Sequence, residues 1–492
     1  MSSPGRLFIP FSCLLGGLIF LSPVASVQPA DAQPTVIRID SRRPHQTFQG
    51  MGCGAIFYEK HITSLGATGK KEAQEKLYDT MFADMRTDFL HLMIRHDHEP
   101  QNDNGDPYDP AFKDEWFEYA KATAEICTAA KTRQPEMKLY ATLYTPPVWM
   151  KTNNAVSAGG KEKATLKPDM ELELAEFCWA FSQWMHGRGH TIHYLSIANE
   201  PDWPHTQPGY CLTPESHAKL FAKAAQYFTE MEKRRPEVPK PALVGPNVLS
   251  AVSCAEKWLS PLLSAAGKDL AVVGAHDYDR RGNRWEVLAK AAAGRPVWLT
   301  EWCVNGADKS PGLYHSASQF WLAMTEAFNG GAHAWMAYDW VYPPRQGGEA
   351  LIHLNWGKDY TLTKIYHGYR QWCLHLQPGM KVLRPELSGP GATGISQAGV
   401  KATGFVSADG RQVLLHAAAV QTTDAAVELQ FSGVSPDATV QRYLTSQTDD
   451  VRLLPPAKLN KGRLSDQLPA GSMGTWLIGY PNERFQNTAE TK

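Results

Sequence analysis

The chain has 492 residues, 43% hydrophobic and 20% charged, the balance of a soluble globular protein and not of a disordered or membrane-spanning one. Lys and Arg number 49 against 50 Asp and Glu, for a net charge of −1, which excludes an electrostatic case for nucleic acid, an anionic membrane surface or a strongly charged polymer as partner. The length accommodates one large domain and a smaller one, and 15 Trp with 18 Tyr are enough to supply both a core and flat, rigid binding surfaces.

Residues 1–32 read as a signal peptide: Arg6 supplies a positive start, 7–21 is an apolar run broken by Pro10, and Ala30-Asp31-Ala32 has small-x-small form, placing the cut after Ala32. The run is short for a span, so no membrane-spanning segment is expected once the leader is removed. The expected location is secreted or periplasmic. Cleavage removes Cys13 and leaves Cys53, Cys127, Cys178, Cys211, Cys254, Cys303 and Cys373. Their odd number without CxxC spacing indicates neither a disulfide framework nor a zinc ribbon, although an oxidising compartment permits one or two bridges.

From about 50 to 345, short apolar runs alternate with helical segments, the pattern of βαβ units. Strands are expected at 50–57, 89–95, 138–144, 192–198, 242–244, 270–275, 296–300 and 332–337, and helices at 113–131, 170–186 and 216–233 among others. Eight such strands predict an α/β fold, a (β/α)8 TIM barrel, over residues 48–378. Beyond Pro378-Gly379 the runs at 404–407, 413–419, 426–431, 439–444 and 475–480 are short, β-rich and separated by Gly, Pro, Asp and Ser. They predict a smaller antiparallel β-sandwich over 379–492, which the strand at 35–40 in the segment 33–47 would join, with a polar tail from Asn482.

The chemistry concentrates at two strand ends. His193-Tyr194-Leu195-Ser196-Ile197-Ala198 runs directly into Asn199-Glu200-Pro201, and Pro296-Val297-Trp298-Leu299-Thr300 into Glu301-Trp302. Both acids then emerge on the C-terminal face where barrel enzymes keep their sites. Glycoside hydrolysis needs such a pair, one carboxylic acid to protonate the leaving oxygen and one carboxylate to attack the anomeric carbon or activate water. A separation of about 5 Å gives retention and a wider one inversion. A lone strand-end Glu would more simply cap a helix or pair with Arg; two at corresponding places, one preceded by Asn, favour catalysis.

Asn199-Glu200-Pro201 resembles the acid/base motif of the clan of retaining (β/α)8 glycosidases, in which the acid/base follows strand four and the nucleophile strand seven. Within it the chain is most similar to glycoside hydrolase family 30, the glucosylceramidase, xylanase, β-1,6-glucanase and β-1,6-galactanase group. The likeness rests on Phe48-Gln49-Gly50-Met51-Gly52-Cys53-Gly54-Ala55, on Tyr144-Thr145-Pro146-Pro147-Val148-Trp149-Met150-Lys151-Thr152-Asn153 and on 366–379, and covers about 45–380. It implies a side β-sandwich, Glu200 as acid/base, Glu301 as nucleophile, and Asn199 bound to the substrate's 2-hydroxyl. The chain departs from the family in the His-rich run Arg95-His96-Asp97-His98-Glu99, while His276-Asp277-Tyr278 is only similar to its His-aromatic pattern.

Substrate-binding candidates are Asn199, Arg95, Trp149, His276, Tyr278, Trp302 and Trp340, each weighed against ordinary packing or hydrogen bonding. Tyr278 would donate its hydroxyl to hold the nucleophile ionised, leaving the raised pKa to Glu200. The three Trp would be sugar-stacking walls, and the Arg95 fork would meet ring hydroxyls, Glu200 or Glu301. On an extended chain His96 with His98, or Asp97 with Glu99, could share an ion, but no second cluster completes a site, so no metal or other cofactor is expected. The glycines at 50, 52 and 54 lack GxGxxG spacing and a following acid. The partner expected is therefore a β-linked carbohydrate bound by a monomer. The other classes are a polysaccharide-binding barrel without catalysis, and a metal-dependent hydrolase using the His96–Glu99 run.

Overall fold

The computed structural model describes residues 33–159, 163–392, 399–420 and 423–479. The leader expected over 1–32, with its cut after Ala32, and the tail from Asn482 lie outside the described residues. Among the described helices, none is long and apolar enough to cross a membrane.

After β1 (Thr35–Asp40), eight strands follow in order: β2 (Gly50–Ala55), β3 (Phe89–Ile94), β4 (Lys138–Leu143), β5 (Ile192–Ser196), β6 (Ala242–Val248), β7 (Leu270–Ala275), β8 (Val297–Trp302) and β9 (Ala334–Ala337). Each pairs in parallel with the next, and β9 returns to β2, closing the (β/α)8 barrel expected from the alternation. Side-chain alternation sends Phe89, Tyr140, Val244, Val272, Trp298 and Met336 into the barrel as one packed cluster. The opposite faces pack on the surrounding helices. Helix Pro214–Arg234 shows the local logic: Thr213 and Ser216 form a capping box, Pro214 occupies the first turn, and Leu220, Phe221, Ala224, Tyr227, Phe228 and Met231 bury one stripe. A β-carbon at Gly54 would collide with the Tyr338 carbonyl, so only glycine lets β2 approach the end of β9 this closely.

Beyond β9, the chain forms β10 (Asp339–Tyr342), β11 (Ala350–Asn355) and β12 (Asp359–Leu362), a three-stranded sheet at the rim that the sequence reading did not anticipate. The helix expected over 113–131 is split into a 3-10 turn, Asp114–Phe117, and a helix, Ala120–Arg133.

The side domain contains β13 (Lys381–Leu383), β14 (Glu386–Ser388), β15 (Val400–Val406), β16 (Val413–Ala419), β17 (Ala425–Ser432), β18 (Thr439–Thr445), β19 (Arg452–Lys458), β20 (Arg463–Leu468) and β21 (Met473–Ile478). They form sheets ordered β13-β15-β16-β21-β18-β19 and β14-β1-β17-β20 around a second apolar core. β1 lies parallel to β17, so this second sheet is mixed and not wholly antiparallel. β19 carries Pro455 and Pro456 and was missed as a strand; it sits at a sheet edge, where prolines cost no ladder hydrogen bond. Helix Lys364–Cys373 bonds the six-stranded sheet: the buried Gln371 amide donates to Met473 O and Thr475 Oγ1 and accepts from Thr445 Oγ1. All seven cysteines named above are free and buried.

Candidate active site

Glu200 and Glu301 meet on the floor of a cleft of about 590 Å³ at the C-terminal mouth of the barrel, each only 4% exposed. Their positions depend on two local irregularities. Glu200 lies four residues beyond β5 with φ of 43°, a left-handed conformation rare outside glycine, and its N–H is anchored on Asn247 O at 2.9 Å. In β8, register shifts between Leu299 and Trp302, a β-bulge. Trp298 faces the barrel interior and Thr300 bonds Asn247 there at 2.7 Å. Strict alternation would turn Glu301 outward and Trp302 inward; the bulge reverses both.

All four carboxylate oxygens face protein groups. On Glu301, Oε2 accepts from the Tyr144 hydroxyl at 2.6 Å and Oε1 from the Tyr278 hydroxyl at 3.0 Å. On Glu200, Oε1 lies 2.7 Å from His276 Nδ1 and Oε2 2.8 Å from His205 Nε2. His276 Nδ1 is also 3.7 Å from Glu301, so one imidazole bridges the acids. Burial alone would raise Glu200, but the His205 and His276 imidazoles outweigh it and bring its carboxyl down to about 2. Burial, with the Glu200 charge, raises Glu301 despite His276 and the two tyrosine hydroxyls. Burial opposes a charged His276, and the charges of Glu301 and Glu200 reverse that, leaving it raised. In the substrate-free protein the charge therefore favours Glu200 and the raised pKa belongs to Glu301, the reverse of the sequence expectation. The Tyr278 hydroxyl lowers Glu301 as expected, but the two imidazoles on Glu200 outweigh it.

Behind the site, Asp277 and Glu326 bracket Arg284, with Arg284 Nη2 2.6 Å from both Asp277 Oδ2 and Glu326 Oε2. This buried cluster fixes the segment carrying His276 and Tyr278. Asn199 also lines the cleft, its side-chain oxygen buried without a hydrogen-bond partner.

Four other sequence candidates lie elsewhere. Arg95 sits 3.6 Å from Glu59 and 3.6 Å from Asp97 and stacks over Tyr119, so its partner is neither catalytic-site glutamate. Trp302, turned outward by the bulge, packs on Phe320 and Trp335 and donates to Asp277 O. Trp340 is fully buried against Phe82. The Trp149 indole donates to Glu99 O at 3.0 Å, outside the cleft lining. The His96–Glu99 run does not converge: His98 is stacked between Phe117 and Phe177, and Glu99 accepts from Asp103 N. Among the described residues, Glu200, His276 and Glu301 are the one trio of metal-ligand types gathered within 4.8 Å. With O–H donors on both Glu301 oxygens and imidazoles on both Glu200 oxygens, that trio is built to steer two carboxyls and not to cage a cation.

Residues the sequence reading missed are Tyr144 and Tyr338, just past the ends of β4 and β9, and His205, Trp203 and Tyr342 in rim segments. The strand-end rule that selected both glutamates also applies to Tyr144; nothing periodic marks His205 or Trp203.

Residues 173–350, which include both glutamates, match the family model described as glycosyl hydrolase catalytic core. No curated protein matches the chain. Among solved structures, it is similar to the catalytic domain of GH30 xylanase C from Talaromyces cellulolyticus (TM-score 0.71, 17% identity, 90% of this chain and 100% of that one). It is also similar to a conserved exported protein from Bacteroides fragilis (0.73, 16%, 90% and 100%). A third likeness is to an endo-β1,6-glucanase (0.65, 13%, 92% and 96%). At these identities the likenesses show the shared fold. The match to a glycosyl hydrolase catalytic core supports a glycosidase.

Proposed function

We propose that the protein is a secreted or periplasmic retaining β-glycoside hydrolase acting on a β-linked oligo- or polysaccharide by double displacement. One observation carries this reading: a carboxylate oxygen of Glu200 and one of Glu301 lie within 4.8 Å of each other across the cleft floor. That close approach accords with the short spacing of a nucleophile and acid/base pair and not with the wider gap an inverting enzyme keeps for its water.

In this mechanism the two carboxyls share one proton, because like charges this close disfavour double ionisation. A sugar entering the cleft displaces His205 from Glu200 and relieves one of the contacts holding that carboxyl low. The proton then resides on Glu200, and Glu301, held by Tyr144 and Tyr278, is ionised. Glu301 Oε attacks the anomeric carbon as the glycosidic bond breaks, and Glu200 delivers its proton to the departing oxygen. Glu200, now a carboxylate, takes a proton from water, whose oxygen attacks the anomeric carbon and releases Glu301. Asn199, with its unpartnered buried oxygen, accepts from the 2-hydroxyl.

The test is hydrolysis of aryl β-glycosides and β-linked oligosaccharides by wild type, Glu301→Gln and Glu200→Ala, with azide as external nucleophile. The reading expects loss of turnover in both variants and a β-glycosyl azide from the Glu200 variant. Wild-type turnover by Glu301→Gln would overturn it, as would an α-glycosyl azide from the Glu200 variant.

A further inference from the structure

Two tryptophans are prominent among the described exposed apolar side chains, Trp203 at 52% and Trp356 at 50%. Trp203 lines the cleft on the loop following Glu200 and β5. Trp356 lies in the β11–β12 turn of the sheet that follows β9. In the barrel order, β5 and β9 are four strands apart in either direction, hence diametrically opposed. Glu200, the proposed proton donor, belongs to the Trp203 side, so the leaving group lies there. The glycone extends toward β9 and β2.

On that side, aromatic rings continue out of the cleft without a gap. Tyr338 and Tyr342 line it with centroids 6.0 Å apart, and Tyr342 meets Tyr58 at 4.2 Å. Tyr58 meets His61 at 5.0 Å, and His61 stands edge-on to Trp356 at 4.7 Å. The turn that carries the ring at the far end is fixed in place. Gly357 N donates to Ser64 Oγ at 2.9 Å, Thr68 Oγ1 donates to Gly357 O at 3.1 Å, and Lys70 Nζ donates to Lys358 O at 2.8 Å. Gly357 has φ of 61°, and a β-carbon there would stand 2.6 Å from Thr68 Cγ2, so the turn is shaped to lie on this segment. A large, half-exposed ring carried on a fixed turn and braced by His61 has less freedom to lose when it binds a flat apolar face.

We propose that Trp356 is a remote glycone-side platform that stacks a pyranose ring. The substrate is then a β-linked chain that continues on the glycone side past the sugar whose bond is broken, and cleavage does not release single sugars from its non-reducing end. This rests on the retaining β-glycosidase reading above.

The experiment compares wild type, Trp356→Ala and Trp356→Phe on p-nitrophenyl β-monoglycosides and on di- to hexasaccharides from xylan, β-1,6-glucan, β-1,6-galactan and β-1,4-glucan. Wild-type kcat/KM should rise with chain length. Trp356→Ala should lose about tenfold on the longest substrates, the effect of about 1.4 kcal/mol, through KM, and keep its activity on the monoglycoside. Trp356→Phe, which retains a flat face, should recover part of the loss. Wild-type cleavage of monoglycosides with no gain from chain length, or an equal loss by Trp356→Ala on short and long substrates, overturns the platform and leaves the glycosidase reading intact. Failure of wild type to cleave any of these substrates overturns both.

Discussion

The Tyr144 hydroxyl gives the sharpest test of how the site sets the two carboxyls apart. Its bond to Glu301 is 2.6 Å long, fully buried and directed at a group proposed to carry charge. Burial and the Glu301 charge hold the phenol well above its ordinary pKa, so it remains a donor throughout the working range. A hydrogen bond to a charged group contributes about 1.5–3 kcal/mol, and Tyr144→Phe removes it while keeping the ring packed on Phe57. Loss of that bond raises Glu301 further and shifts the shared proton away from Glu200. The expected result is a fall in kcat/KM of about 10- to 150-fold at the pH optimum, accompanied by movement of the alkaline limb of the pH profile to higher pH. Both effects follow from one cause: the ionised nucleophile becomes a smaller fraction of the singly protonated pair. Measurement requires pH–rate profiles for wild type and variant, with thermal melting to establish that the fold is retained. A correctly folded Tyr144→Phe protein with unchanged kcat/KM and unchanged limbs would refute the reasoning.

Removal of His205 acts on the opposite limb: without its imidazole the Glu200 carboxyl, held at about 2, rises, so in His205→Ala the acid limb of kcat/KM moves to higher pH. Trp203→Ala should raise KM at unchanged melting temperature, whereas Trp340→Ala, at 0% exposure, should cost about 3–5 kcal/mol of stability and show in melting, not in KM. Glu176 is pushed up to about 10 by burial beside Asp103, Glu173 and Glu99. The folded protein thus keeps a proton that the unfolded chain releases from about pH 4.5 upward, and stability declines as pH rises from there toward 10. Glu176→Gln should therefore reduce the fall in melting temperature between roughly pH 5 and 9.

The barrel was legible because a strand followed by an amphipathic helix repeats eight times, each strand a short apolar run with its own boundary signals. Both glutamates were legible for the same reason, as acids where such runs end. What escaped depends on local departures from periodicity. Trp302 looked like a cleft residue because the β8 bulge leaves no mark in Leu299-Thr300-Glu301-Trp302. Arg95 follows β3 at the correct face, but its guanidinium is taken by Asp97 and by Glu59, which opens the helix after the adjacent strand β2. The placing of charge between Glu200 and Glu301 depends on His205 and His276, 71 residues apart in sequence and brought to one carboxylate by the closed barrel. The sheet at β10–β12 was missed because its runs are short and interrupted by Pro343-Pro344 and Gly347-Gly348.

The position of β1 has a consequence for how the molecule is made. This strand, among the earliest in the described chain, lies between β14 and β17, and Arg38 bonds Gln430 across 392 positions. During synthesis it must wait, unpaired, while the whole barrel is produced, because its two neighbours are not yet present. Closing so long a loop is entropically unfavourable and slow to find, so docking of β1 should come last, as the step that completes the apolar core of the side domain. Until then β14 and β17 present open edges to other chains. β1 thus acts as a seal, and removing it would expose assembly-prone edges in a part of the molecule as far as 392 positions away in sequence.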